Sequence, residues 1–251
     1  MKILLPAFLI VLFSCAQVEL PATSRTVNSE VLSAVRSMPA GKGYDASQAA
    51  VDRLAASVSH QNRTFKQDLA KTGPTFCSGA TYLVFLRTIE KLGWTNSLPK
   101  PSLNRLANLD VKDGEEVFGR WNANGPGTAK LFADLNCGIS FTSFDHARPG
   151  DFLKLWWTEA IGGKESGHLV VYLSQTPTTV TWWSANEPSG YGKKTVSKSK
   201  IRHHLFSRLT QPKNLSNVSR LSPKDQFLAD MLRKDFSWEQ VIQTCKVRKT
   251  P

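Results

Sequence analysis

The sequence predicts an α+β fold, helices first and an antiparallel sheet after them. Two observations carry this expectation. As far as residue 135, apolar residues recur mainly at helical spacing. From Gly138 onward they form short runs rich in β-branched and aromatic residues, separated by Pro/Gly turns. A third observation bounds the size. At 251 residues, 41% hydrophobic and 21% charged, the chain suits one medium globular domain with extensions. That composition excludes a disordered chain, and no internal repeat or low-complexity tract is visible.

The chain opens Met1-Lys2, and residues 3–13 are then apolar, interrupted by Pro6. This run is too short for a bilayer, which needs about 20 residues. One cation, a short apolar run and small residues have the layout of a secretory signal over 1–16. Two cleavage readings stay open. Leu12-Phe13-Ser14-Cys15 resembles a bacterial lipobox with Cys15 lipidated, whereas Ser14-Cys15-Ala16 resembles a small-x-small site leaving Gln17 first. Either way the protein is expected to be exported, to the periplasm or cell envelope. A membrane contact is expected only through a lipid anchor. Residues 17–44 read as a tether with a short helix over 29–38.

The main domain is expected over 45–210. Asp45 reads as an N-cap for a helix over 46–59, where Ala50, Val51, Leu54, Ala55 and Val58 form an apolar stripe. Gly73-Pro74-Thr75 breaks the chain. A helix over 77–92 follows, with Ala80, Leu83, Val84, Leu86 and Ile89 on one side and Gly93 at its end. Pro99 and Pro101 mark a linker before three short helices, over 102–109, 114–121 and 128–135. The segment 122–127 (NANGPG) is a loop. Strands are expected over 139–144, 151–157, 168–174, 179–185 and 194–201, with a further one over 203–209. Residues 211–251 read as a basic helical extension, with Ser222 as cap, Pro223 at the first helical position, and helices over 224–233 and 237–244.

Charge is unevenly distributed. The net +12 comes from 32 Lys+Arg against 20 Asp+Glu. From Gly190 to the end, 14 Lys/Arg face four acids, so this stretch carries +10. An anionic envelope surface is therefore to be sought at the C-terminus. Nucleic acid is not expected, because the basic stretch lacks interleaved aromatics and the chain reads as exported. Of four cysteines, Cys15 belongs to the signal, and Cys137 with Cys245 form a candidate disulfide. No Cys-x-x-Cys or His-x-x-His spacing occurs, so no metal and no cofactor are expected.

Cys77 sits in a context that suits chemistry. Phe76-Cys77-Ser78-Gly79 places a thiol at the start of an apolar helix, immediately after a breaker. Free N–H groups and the positive dipole end stabilise a thiolate there, and they offer an oxyanion site. Ser78 and Gly79 keep the surroundings open. His168 opens the run Gly167-His168-Leu169-Val170-Val171-Tyr172, at a strand end where an imidazole serves as base for a thiol. The next strand ends Ser184-Ala185-Asn186-Glu187. Asn186 is the first choice to orient the imidazole, with Ser184 and Glu187 as substitutes. Alternation puts Trp182, Ser184 and Asn186 on one face. Trp156, Trp157, Trp182 and Trp183 either bind sugar rings or pack the sheet.

This order resembles the NlpC-like and CHAP-like branches of the papain-like cysteine peptidases: cysteine at a helix start, Pro149-Gly150-Asp151 opening a strand, Gly-His opening the next, a polar residue on the strand after. The resemblance spans residues 73–192. It implies an antiparallel sheet packed on the nucleophile helix and a cysteine–histidine–polar triad of Cys77, His168 and Asn186. It further implies hydrolysis of amide bonds in bacterial peptidoglycan, by stem-peptide endopeptidase or muramoyl-alanine amidase action. Ser78, Gly79, Trp182 and Ser184 are the expected substrate contacts. The chain departs from the pattern in its long helical segment 93–137, in Ser184 where CHAP-like proteins place an acid, and in Phe76 where an Asp usually precedes the cysteine. The competing readings are a non-catalytic envelope-binding lipoprotein on the same fold, and a lipid-binding basic tail with Cys77 merely in the core.

Overall fold

The structure is a computed structural model that describes residues 26–249. The expected signal, both cleavage readings and Cys15 lie outside the described residues. Six helices come first: α1 (Val27–Arg36), α2 (Gln48–Ser57), α3 (Cys77–Lys91), α4 (Lys100–Ala107), α5 (Glu116–Asn122) and α6 (Gly127–Leu135). Strand β1 (Gly41–Lys42) and the hairpin β2 (Val58–Gln61) and β3 (Thr64–Gln67) fall among them. Then come β4 (Gly138–Phe141), β5 (Phe152–Trp156), β6 (Gly167–Gln175), β7 (Thr179–Asn186), β8 (Gly190–Ser197) and β9 (His203–Leu209). Helices α7 (Gln226–Asp230) and α8 (Trp238–Thr244) end the chain. The fold is α+β. Its main sheet has seven strands in the order β1-β8-β7-β6-β5-β9-β4, and every pairing is antiparallel.

Strand alternation divides the sheet into two apolar faces. Phe152, Leu169, Val171, Trp183 and Ala185 join the main core with the helices. Leu153, Val170, Tyr172, Trp182 and Phe206 form a second cluster, against which Phe144 and Ile201 pack. Helix α3 is the spine of the main core. Ala80, Ile89 and every side chain from Tyr82 to Leu86 are completely buried. Burying each large apolar side chain there contributes about 1.5–3 kcal/mol. Gly93, at φ 72°, ends the helical segment in the left-handed conformation that favours glycine.

Several expectations change. The residues read as a tether are integral from Val27 onward: α1 buries Val31, Ala34 and Val35 in the main core, and β1 pairs with β8. The C-terminal residues are integral too. Leu215 and Val218 enter the main core, and Met231, Val241 and Cys245 pack with Trp156 and Leu205 in a third cluster. Arg120, nearly sealed from solvent, pairs with Asp225 at 3.1 Å and donates to the Ser222 carbonyl at 2.8 Å. Cys137 and Cys245 are free thiols in different clusters, the main core and the third cluster.

Helix starts also move. Ser47, not Asp45, stands at the N-cap position of α2, without a side-chain capping bond, while Asp45 accepts from the Ser47 N–H at 2.8 Å and pairs with Arg53 at 2.7 Å. The helix expected to residue 59 stops at Ser57, and the chain turns into β2 and β3. Asn62 and Arg63 make that turn at φ 49° and 61°, the left-handed pair a tight hairpin needs. Asp225, not Ser222, caps α7, accepting from the Leu228 N–H at 2.9 Å.

Asp151, completely buried at the start of β5, ties three distant parts of the chain. Arg208 of β9 donates to both its oxygens, at 2.8 and 2.7 Å. Asn28 of α1 donates at 2.9 Å and the Arg148 N–H at 2.8 Å. A charge pair this deep is stable only because each lone pair is used. Asp151→Ala leaves the Arg208 guanidinium buried and unpaired, so we expect a loss of about 3–5 kcal/mol. Urea unfolding of purified protein measures it, and a loss below about 1 kcal/mol refutes this role for the pair.

Candidate active site

Cys77 is the first residue of α3, and Phe76 before it is extended at φ −117°. Its sulfur therefore sits at the end of the helix where the first N–H groups lack intrahelical partners. His168 lies on β6, one residue from its start, in register with Leu155 of β5. Asn186 closes β7, opposite Gly190 of β8. The tertiary fold brings these three together, although they are spread over more than a hundred residues.

The hydrogen bonds assign the roles of the ring nitrogens. The Asn186 amide donates from Nδ2 to the carbonyls of Gly192 at 2.9 Å and Ser184 at 3.2 Å. Its Oδ1 accepts from Trp182 Nε1, which can only donate, at 2.9 Å. The amide polarity is thereby fixed, and Oδ1 is the atom that meets His168 Nε2, at 3.2 Å. Nε2 must then carry the proton, which leaves Nδ1 as the basic nitrogen of the neutral ring. The Trp182 ring stands edge-on to the imidazole, 6.0 Å between centroids.

Burial pushes the Cys77 thiol up, but the opposing effects are together larger. The His168 charge, a hydrogen bond with His168, the Leu169 N–H and the nearby Lys154 bring it down to about 7. Tyr44, between β1 and α2, also hydrogen-bonds Cys77. Burial and then the proximity of Cys77 and Glu187 hold its phenol well above the usual range, so it stays protonated and donates toward the sulfur. By contrast, burial pushes the Cys245 thiol up to about 12 and raises that of Cys137 as well.

A cavity of about 340 Å³ opens beside the thiol. Cys77, Ser78 and Tyr44 line it together with Asp113, Lys154 and Glu165. Lys154 pairs with Glu165 Oε1 at 2.6 Å. The other Glu165 oxygen accepts from the N–H groups of Gly125 at 2.7 Å and Gly162 at 3.1 Å, and from Trp156 Nε1 at 3.0 Å. Burial alone would raise Glu165, yet the Lys154 charge and these donors leave it lowered and ionised. Glu165 thus pins the 122–127 loop to the β5–β6 connection at the cavity wall. Leu232, 54% exposed, reaches the same cavity from the C-terminal segment.

The expected substrate contacts divide. Ser78 lines the cavity, although its hydroxyl is committed to Asn122 Oδ1 at 2.7 Å. Gly79 does not line it; a Cβ there would stand 2.7 Å from Leu54 Cδ2, so glycine lets α3 close on α2. Trp182 and Ser184 are buried and do not line it either. Trp182 positions Asn186, and Ser184 Oγ donates to the Leu169 carbonyl at 2.8 Å, cross-linking β7 to β6. Of the three residues considered for orienting the imidazole, Asn186 is the one that meets it. Tyr44, Asp113, Lys154 and Glu165 were not anticipated, because nothing local in sequence links them to Cys77. Among the described residues no three His, Cys, Asp or Glu side chains converge as metal ligands would, and no helix is long and apolar enough to cross a membrane.

Comparison of the chain with protein-family models, with curated proteins and with solved structures finds no match in any of the three.

Alkylation proceeds through the thiolate, so iodoacetamide should label Cys77 with a rate that rises with pH through a midpoint near 7. Cys137 and Cys245 should stay unlabelled in the folded protein. His168→Ala removes the charge and the hydrogen bond that lower the thiol, so the midpoint should move up. Peptide mapping by mass spectrometry reads each cysteine separately, and an unchanged midpoint in His168→Ala contradicts the pairing.

Proposed function

We propose that this chain is an exported cysteine hydrolase of the papain-like, NlpC/CHAP type, cutting amide bonds in bacterial peptidoglycan. The observation that carries the reading is the ordered chain Cys77–His168–Asn186. The thiol lies at a helix N-terminus with its acidity raised, beside an imidazole whose far nitrogen is held by a fixed amide oxygen. A thiol that only filled the core would need none of this.

In the proposed reaction, His168 Nδ1 takes the thiol proton and the Cys77 sulfur attacks the carbonyl carbon, forming the C–S bond. The carbonyl oxygen becomes an oxyanion beside the free N–H groups of α3, with the Tyr44 hydroxyl as a further donor. Nδ1 then protonates the leaving nitrogen and the C–N bond breaks, leaving a thioester. Water, deprotonated by His168, attacks that thioester and restores the thiol. Asn186 keeps the ring in the tautomer this requires, and no cofactor enters any step.

The amide class follows from the family resemblance, and the cavity is of a size that admits a small ligand. The cell-wall assignment follows from the expected signal and from the basic C-terminal quarter, which favours an anionic envelope surface. Membrane contact belongs only to the lipobox reading of the signal, in which Cys15 carries a lipid anchor.

Purified peptidoglycan sacculi digested with the wild-type protein should release peptide products identifiable by mass spectrometry, and Cys77→Ala should release none. Asn186→Ala should fold but lower kcat by about ten- to a hundredfold, with KM nearly unchanged, because the ring loses its orienting partner. Tyr44→Phe should lower kcat by a similar or smaller factor. An active Cys77→Ala protein removes the reading.

A further inference from the structure

The cavity beside Cys77 runs across the sheet. Leu169 of β6 and Leu205 of β9 are both register partners of Lys154 on β5, so the three stand in one row on the same face. All three line the cavity. The row starts at the thiol, where the Leu169 N–H meets the Cys77 sulfur. It ends two strands away, about 10 Å at the usual strand spacing.

The far end is lined by apolar side chains. Pro126, Ala129 of α6 and Leu205 are buried there. Ala129 and Leu205 belong to the third cluster, which Met231 of the C-terminal segment joins. Leu232 is the next residue. It lines the same cavity and is 54% exposed, the one large apolar side chain so exposed among the described residues. Its neighbours hold it in place. Met231 is completely buried, and a Cβ on Gly125 would stand 2.8 Å from its sulfur. The Lys234 carbonyl accepts from the Gly163 N–H at 3.0 Å, and the Phe236 N–H donates to the Ile161 carbonyl at 2.9 Å. Leu232 is therefore fixed on the cavity rim by contacts other than its own. An apolar side chain left in water there gains free energy when a ligand covers it. The proposed hydrolysis makes no use of it, and it lies outside the span of the family resemblance.

We propose that Leu232, with Pro126, Ala129 and Leu205, forms an aliphatic subsite, so that the preferred substrate carries an aliphatic side chain about three residues from the amide to be cut. An extended peptide advances about 3.3–3.6 Å per residue, so about three residues span the row from the thiol to Leu205. A charged side chain at that position is disfavoured, because these four residues offer nothing to replace its hydration. The inference deepens the proposed function. That the occupant belongs to a peptide rests on that reading, whereas the subsite rests on the cavity alone.

The test reads the cavity through its own thiol. Labelling rates of Cys77 by N-ethylmaleimide and N-heptylmaleimide, followed by peptide mapping, compare a short chain with one long enough to reach the far end. Each buried methylene is worth about fourfold, so N-heptylmaleimide should react about tenfold faster or more. Leu232→Ala should remove most of that preference and Leu232→Asn all of it, while Leu232→Met should retain it. Thermal unfolding checks that each variant is folded. Equal rates for the two reagents overturn the subsite, as does a preference that survives Leu232→Asn. A fall in both rates by one factor overturns it too, since it marks a displaced rim rather than a lost contact. Failure of both reagents to label Cys77 overturns the subsite and the hydrolytic reading together. If the Leu232-dependent preference holds while the wild-type protein cuts no sacculi, the subsite stands and the hydrolytic reading falls. If sacculi are cut without any such preference, the subsite alone falls.

Discussion

The burial of α3 against one face of the sheet is the constraint on which the rest depends. The helix is apolar on nearly all sides, so it must be enclosed, and α1, α5 and the sheet enclose it. Close packing leaves it little freedom to slide or rotate. Its N-terminus therefore arrives at one height relative to β6, where His168 stands. Gly79 shows how tight the fit is, since one added carbon would collide with Leu54. The position of the Cys77 sulfur is thus an outcome of core packing, and the chemistry inherits the precision of the core.

The polar part of the site is built by the same rule applied to hydrogen bonds. The Asn186 amide spends both its donors on backbone carbonyls and its oxygen on Trp182 and His168. With every group committed, the amide cannot flip without leaving donors and acceptors unmatched. Glu165 plays the corresponding part at the cavity wall, where Lys154 and three N–H donors hold it. Asp151 and Arg208 do so at the other end of β5. Each of these carboxylates is stable because its hydration is fully replaced.

Much of this was legible in the sequence, and the unread remainder has physical causes. Cys77 and the helix behind it were visible because a breaker, a thiol and an apolar run are adjacent. His168 and Asn186 were visible because β6 and β7 follow each other closely, and consecutive strands usually pair. The hairpin β2 and β3 was missed because Leu54 and Val58 fit a helical stripe as well as a strand start. Asp45 and Ser222 both suit a cap position by residue type. At α7 the Asp225 side chain reaches the free Leu228 N–H, whereas Ser47 takes the N-cap position of α2 by its extended backbone, with no side-chain capping bond. The two ends of the domain look like appendages in sequence because their apolar residues are sparse. A few of them, such as Val31 and Val241, still suffice to dock a short helix on a surface already formed.

The sequence by itself determined the α+β order, the antiparallel run of strands, the thiol at a helix start and the uneven charge. All of these are carried by residues close together along the chain, where propensity and periodicity act. Only the tertiary structure decided that Tyr44, Asp113, Lys154 and Glu165 share a cavity with Cys77. It also decided that Trp182 and Ser184 are buried supports rather than cavity walls, and that the basic C-terminal residues wrap the domain. Those outcomes depend on contacts between segments far apart in sequence, where packing and hydrogen-bond completion choose among arrangements that local pattern leaves equal.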